Sequence, residues 1–397
     1  NLLSPHDAIA TFLARVSVAA PVVEHCALDD AFGRVLARDV VADRDYPAAP
    51  RSAMDGFAMH AGDAPGDLRV AGEIAMGAAW PAPLARGFAV RIPTGGIVPE
   101  GADAVVPIED AELRDGSVRV PERILRGENV NERGCDMREG ELALAHATRL
   151  TAPHLGLLAT LGVTRVPVFA RPRIAVLSSG DELVPPDADP AIGQIRDSNR
   201  YAIAATLRAM GAEIVHEPTV NDEPGALTRA LAGALQHADA AIVTGGSSVG
   251  ERDQTPAAIA ALGTPGVIVH GLRVKPGKPT VLAAVGSKPV IGLPGNPTSA
   301  VVILQAVAAP IIAALCGRRF ARETLNATLD GEVRSRPGWT WYVPVELRDE
   351  GGRVTAHPLP LRSSTVSVIA RAQGYAIVPE EIEAYPAGTT VTVARFI

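Results

Sequence analysis

Arg173-Ile-Ala-Val-Leu-Ser-Ser-Gly-Asp-Glu182 is an apolar run that stops abruptly in two hydroxyls, a glycine and two carboxylates. A short continuous apolar run closed by a turn signal reads as a strand buried on both faces. Downstream the period changes. Asn199 to Met210 reads as a helix, with Asp197, Ser198 or Asn199 as its cap and Gly211 as its stop. Glu213 to Val220 reads as the next strand, Ala226 to Leu235 as a helix, and Ala240 to Thr244 as another strand. This alternation predicts a doubly wound, parallel α/β sheet. In such sheets ligands lie beyond the carboxyl ends of the strands, which is where each Gly-rich segment of this stretch falls.

Outward from that centre the chain divides into pieces of different character. Its 397 residues suggest two or more domains of about 150 residues each. Ser4 can cap a helix that Pro5 begins, with Ala8, Ile9, Phe12, Leu13 and Val16 on one face. Residues 1–45, with 146–172 returning to them through a helix (Leu150 to Leu161) and an extended run (Val163 to Phe169), form an N-terminal linker domain. Residues 46–145 hold short extended runs (Phe88 to Ile92, Ala104 to Ile108, Ser117 to Val120) broken by Gly and Pro, and read as a small β-rich domain. Residues 173–320 are the α/β domain and 325–397 a C-terminal β domain. The fold class expected is therefore multidomain α/β, with a central doubly wound domain flanked by small β-rich domains and an N-terminal helical and extended segment.

Composition excludes several functions. With 47% hydrophobic residues the chain can bury a large core, which argues against disorder. A net charge of −7 argues against nucleic acid as a partner. Ala300 to Leu315 is apolar but contains Gln305 and Pro310 and falls short of the roughly 18 residues that span a bilayer, so it reads as a buried helix and no membrane partner is expected. No charged-then-apolar leader opens the sequence. Cys26, Cys135 and Cys316 lie far apart, giving neither a disulfide framework nor a zinc spacing, and a reducing, cytoplasmic compartment is expected. The histidines show no ligand spacing, no nucleophile has an evident base, and neither GxGxxG nor the Walker pattern occurs.

Three segments can carry chemistry. Ala241-Ile-Val-Thr-Gly-Gly-Ser-Ser-Val-Gly250 opens a strand into glycines and hydroxyls. Backbone N–H groups of Gly245, Gly246 and Gly250 with Ser247 and Ser248 suit a phosphate, although a plain strand-to-helix turn also uses glycines. Asp253, just beyond, favours the ligand reading, since a carboxylate beside a phosphate nest suits Mg2+. Lys275-Pro-Gly-Lys278 holds two of only three lysines in the chain on one turn, which makes sense around an anion. Leu293-Pro-Gly-Asn-Pro-Thr-Ser299 places Asn296 as cap of a helix that Pro297 starts, a second anion site in principle or simply a cap. Asp181, Glu182, Asp222, Glu223 and Asp253 recur at strand ends on one sheet edge, as hard ligands around a phosphate would.

At these residues the chain resembles the molybdopterin molybdenumtransferases, the MoeA and gephyrin E-domain family. The likeness rests on RSAMDGFA (51–58), IPTGGIVPEGADAVVP (92–107), SSGDEL (178–183), GQIRDSN (193–199), VNDEP (220–224), TGGSSVGERD (244–253), KPGKP (275–279) and LPGNPTSAV (293–301), in order along nearly the whole chain. The resemblance implies a cytoplasmic enzyme of molybdenum-cofactor synthesis that takes adenylylated molybdopterin and molybdate, inserts the metal and releases AMP with Mg2+ assisting. It implies an elongated homodimer with the active cleft between subunits, a molybdopterin-binding central domain, and dealings with the molybdopterin adenylyltransferase and apo-molybdoenzymes. Asp55, Thr94, Asp136, Glu182, Asp222, Asp253, Lys275 and Lys278 fall on the family's functional positions. Ser179, Gly180, Gly245, Gly246, Ser247, Ser248, Gly250, Pro294, Gly295 and Asn296 are then the cofactor-binding residues. Asp253 with Glu182 are the Mg2+ ligands. Ser363 and Ser364 match a serine pair near the molybdate.

Three departures stand out. SSGDEL replaces the usual TGDEL, Cys135 precedes Asp136 where Glu is common, and Pro344 aligns where a basic residue is expected, a loss for which Arg336 could compensate. Loss of that contact would fit a second reading, a gephyrin-like pterin-binding scaffold with weak or no turnover. The retained carboxylates and both lysines favour catalysis.

Overall fold

The computed structural model describes residues 2–245, 254–360 and 365–397. Among the residues singled out above, Gly246, Ser247, Ser248, Gly250, Asp253, Ser363 and Ser364 lie outside the described residues. The chain forms two units, one of residues 1–37, 147–151 and 165–397 and one of residues 38–146 and 152–164.

The larger unit is built on a six-stranded sheet in the order Glu213–His216, Arg173–Ser178, Ala240–Thr244, Lys288–Leu293, Val281–Val285, Pro265–His270. The first four strands are parallel, as the alternating pattern predicts, and the two central ones are buried on both faces. Val281–Val285 runs antiparallel to Lys288–Leu293, and Pro265–His270 antiparallel to Val281–Val285. Only Gly286-Ser287 separates Val281–Val285 from Lys288–Leu293, and so short a link can join only antiparallel neighbours. Helices Ala226–His237 and Gln254–Ala260 cover one face, and the helices Asn199–Met210 and Pro297–Leu315 cover the other with the N-terminal helix Pro5–Arg15. Ser4 caps that first helix, its hydroxyl accepting the Asp7 N–H at 3.1 Å. Asn199–Met210 stops at Gly211 in the left-handed region, as expected.

The expected strand Glu213–Val220 is shorter, ending at His216 before Glu217 and Pro218. Proline cannot donate to the ladder. The chain regains register at Val220, whose N–H donates to Ser178 O at 2.8 Å and whose carbonyl accepts the Gly180 N–H at 3.1 Å. That return sets Asp222 beside the end of strand Arg173–Ser178.

In the same unit, Arg165–Phe169 pairs antiparallel with Val23–Ala27. The C-terminal strands Thr340–Glu350, Arg353–Pro358, Thr324–Leu329, Thr390–Arg395 and Gly374–Val378 close on themselves, because Thr340–Glu350 pairs with Gly374–Val378 as well. Val343, Val345, Leu329, Val378 and Val393 fill the inside. The strand Val274–Lys275 adds to this sheet parallel to Thr340–Glu350.

The smaller unit carries a mixed six-stranded sheet in the order Ala104–Pro107, Gly56–Met59, Phe88–Ile92, Gly66–Glu73, Ser117–Val120, Glu112–Arg114. Phe57, Met59, Leu68, Val106 and Val118 pack on one face, and Val90, Ile92 and Val105 on the other.

Candidate active site

A cavity of about 580 Å3 opens where the carboxyl ends of Arg173–Ser178, Ala240–Thr244 and Lys288–Leu293 meet, the place the sheet topology favours. Three loops are pressed together there. The Ser179 N–H donates to Thr244 O at 2.8 Å. A Cβ on Gly245 would lie 2.0 Å from Ser179 O, and one on Gly295 would lie 3.5 Å from Gly245 Cα. Gly245 also has φ 89°, so glycine is required there twice over. Ser179, Glu182, Gly245, Pro294, Gly295 and Asn296 line the cavity. Gly180 and Asp222 stand behind this wall. Asp222 accepts the Ser179 hydroxyl at 3.5 Å, and its own N–H donates to Asp181 Oδ1 at 3.0 Å.

Asn296 occupies the N-cap position of the helix that Pro297 begins, but its side chain makes no capping bond. Asn199 closes the loop instead, donating from Nδ2 to Gly295 O at 2.6 Å. Asp197, 5% exposed, also lines the cavity. It accepts the Arg200 N–H at 3.2 Å and so takes the capping role considered for it.

A second cavity of about 420 Å3 shares the Pro279, Pro294 and Asn296 wall with the first. It is lined by Lys275, Lys278, Arg336, Ser299, Trp339 and Trp341. The lysine turn is seated by Gly277, where a Cβ would lie 2.1 Å from Ile303 Cγ1. The Lys275 ammonium sits 4.1 Å from the centre of the Trp341 ring, and the Arg336 guanidinium 5.5 Å from that of Trp339. Sequence reasoning missed both tryptophans. Their signal is faint, two aromatics at the mouth of a strand, and it acquires meaning only from the pairing of Thr340–Trp341 with Val274–Lys275.

Pro344 is buried in its strand, opposite Tyr375, and its carbonyl accepts the Leu359 N–H at 2.9 Å. It does not line the cavity; Arg336 does.

In the smaller unit Asp55 accepts both the N–H and the hydroxyl of Thr94, at 2.6 and 2.9 Å. Those bonds, the backbone one foremost, hold the Asp55 carboxyl below its ordinary range. Asp136 is exposed on a turn whose N–H donates to Tyr46 O at 3.0 Å, next to an exposed Cys135.

Comparison with known proteins identifies the family to which the chain belongs. Residues 3–162 match the MoeA N-terminal region (domain I and II), 175–314 a probable molybdopterin binding domain, and 326–396 the MoeA C-terminal region (domain IV). The molybdopterin molybdenumtransferase of Haemophilus influenzae is 31% identical over 94% of this chain and 94% of its own. The chain belongs to the molybdopterin molybdenumtransferase family. The Bacillus subtilis member is 32% identical over 93% of this chain and 89% of its own. The MoeA molybdopterin biosynthesis protein of Pyrococcus horikoshii, at 29% identity, superposes over the full length of both chains with a TM-score of 0.82. As a molybdenumtransferase of this family the chain is an enzyme of molybdenum-cofactor biosynthesis, and its multidomain α/β fold is that of its relatives.

Proposed function

We propose that this chain inserts molybdate into adenylylated molybdopterin and releases AMP. The observation that carries this reading is the pair of adjoining cavities, one at the glycine-lined strand ends and one lined by three cations. An adenylylated pterin needs a phosphate cradle, and molybdate needs positive charge within reach of it. In this reading Ser179, Gly180 and Gly245, with Gly246, Ser247, Ser248 and Gly250, cradle the phosphate through backbone N–H groups and hydroxyls. Pro294, Gly295 and Asn296 form the wall between phosphate and oxyanion. Lys275 and Lys278, with Arg336, neutralise molybdate and the charge that develops on the departing phosphate, a preorganised electrostatic contribution. Ser363 and Ser364 add hydroxyls to the oxyanion. Asp222 orients the Ser179 hydroxyl, and Asp55, fixed by Thr94, and Asp136 take the catalytic parts that their family positions imply.

Mg2+ suits the donors at hand. Among the described residues no group of three or more His, Cys, Asp or Glu side chains gathers, which excludes an all-protein cage there. Mg2+ needs only one or two carboxylates with waters, and the Glu182 side chain lines the cavity. Asp253 and Glu182 would hold it, and the ion would supply Lewis-acid stabilisation of phosphate charge. The chain would work as a cytoplasmic homodimer, receiving its pterin from the adenylyltransferase and passing product to apo-molybdoenzymes.

The test is AMP release from adenylylated molybdopterin with molybdate and Mg2+, run beside Asp253→Asn. Molybdate-dependent release by the wild type alone supports the transferase and the carboxylate's part in it. Tight pterin binding with no release from either would make the chain a scaffold.

A further inference from the structure

Lys275, Lys278 and Arg336 share one cavity, yet among the described residues none of the three makes an ion pair with a carboxylate. Like charges crowded together repel. A carboxylate would hold them but would also cancel the charge a dianion needs. The partners present are indole faces: Trp341 under the Lys275 ammonium and Trp339 under the Arg336 guanidinium. An indole attracts a cation through its ring quadrupole and carries no formal charge.

The backbone sets up the first of these contacts. Val274–Lys275 pairs parallel with Thr340–Trp341, and Lys275 and Trp341 are direct register partners. Cross-strand partners meet side chain to side chain. Gly277 then lets the chain turn tightly against Ile303 and bring Lys278 to the same cavity.

We propose that Trp341 is a positioning residue for Lys275, holding its ammonium toward the cavity so that a tetrahedral dianion meets a preformed and unneutralised cation; Trp339 does the same for Arg336. This rests on the reading of the cavity as the molybdate site. A lysine released from the ring would spread over many rotamers and would have to be ordered when the anion arrives, so the loss falls on anion affinity.

The experiment measures binding of sodium molybdate to the full chain by calorimetry, with melting temperature followed in parallel. Trp341→Leu should weaken binding about three- to fivefold, the order of an exposed cation–π contact. Trp341→Phe, which keeps a ring face, should recover part of the loss, and neither should lower the melting point in proportion. In AMP release the same variants should raise KM for molybdate more than they lower kcat. In a Lys275→Gln background Trp341→Leu should be silent, because the ring would have nothing to hold. Equal affinity of Trp341→Leu and wild type overturns the proposal. So does the same loss in both backgrounds, or Phe and Leu failing alike with a fall in melting point. Absence of molybdate binding by the wild type would instead overturn the reading of the cavity on which this rests.

Discussion

At the scale of single residues, the site depends on positions where nothing larger fits. Gly277 has φ 106°, and its missing Cβ would sit 2.1 Å from Ile303 Cγ1. Gly277→Ala must both strain the backbone and push the lysine turn off the helix beneath it. A loss of about 2–4 kcal/mol in urea unfolding is expected, with weaker molybdate binding, whereas an unchanged midpoint would show that the turn is loosely seated. Thr94→Val tests a different dependence. It removes the hydroxyl donor to Asp55 and keeps the N–H, so the Asp55 carboxyl should titrate higher than in the wild type but still below an ordinary aspartate. A depressed carboxylate stabilises the fold above its unfolded value, and that contribution is lost as pH falls through its folded value. A side-chain NMR titration reads the shift, and identical titrations in the two proteins would remove the hydroxyl from the account. How legible these residues were follows from their chemistry. The lysine pair stood out because lysine is rare in this chain, and the glycine loops because glycines and hydroxyls gather at the strand ends of the α/β sheet. Trp339 and Trp341 stayed hidden because their role arises from register with a strand far away in sequence. Pro344, read as a lost oxyanion contact, is a strand residue whose place at the cavity is taken by Arg336.

At the scale of elements, the helix from Pro297 to Leu315 repays a closer look. It is long and apolar enough to cross a membrane, yet 89% of its apolar window is buried within the protein, in keeping with a core helix. Its middle, Leu304–Ala308, widens into a π turn. Pro310 offers no N–H to the Ala306 carbonyl, its ordinary partner four residues back. Arg322 supplies the missing donor, with Nη2 2.9 Å from Ala306 O. Gln305 turns its amide oxygen outward to accept the Ile397 N–H at 2.8 Å and pins the chain's last residue there. Arg322→Met should leave the Ala306 carbonyl buried and unpaired, at a cost of about 1–3 kcal/mol in chemical denaturation. A midpoint equal to the wild type would mean that the wide turn satisfies that carbonyl itself. The apolar run and its burial were readable, but its length was not: the helix begins at Pro297, before the apolar run expected from Ala300, and so reaches the length of a membrane span. The π turn was not, because its compensation comes from outside the helix.

At the scale of the whole molecule, the alternating pattern made the parallel half of the sheet readable, while the antiparallel edge hung on recognising Gly286-Ser287 as a hairpin turn between two apolar runs. Closure of the C-terminal strands depends on pairings distant in sequence, which no local pattern encodes. The large core formed around that sheet also makes a prediction for the molecule as a unit. Cys316, Tyr375 and Tyr342 are buried in it together. Burial pushes the Cys316 thiol up from 9.0 to about 11 and the Tyr375 hydroxyl from 10.0 to about 12, and it raises Tyr342 further still. The unfolded chain gives up these protons at their ordinary values and the folded chain does not. The unfolded state therefore binds fewer protons above pH 9, and stability must fall as pH rises from there. Below pH 9 the contribution is fully present. Cys316 alone accounts for about 3 kcal/mol once both states have ionised, at 1.36 kcal/mol per unit. Urea midpoints should stay level from pH 7 to 8.5 and then decline steeply. Cys316→Ala starts lower because of the cavity it leaves, but it should decline more gently, since one of the three ionisations is gone. Parallel decline in the two proteins would show that the thiol ionises alike in the folded and unfolded chain, and that the core around it admits water.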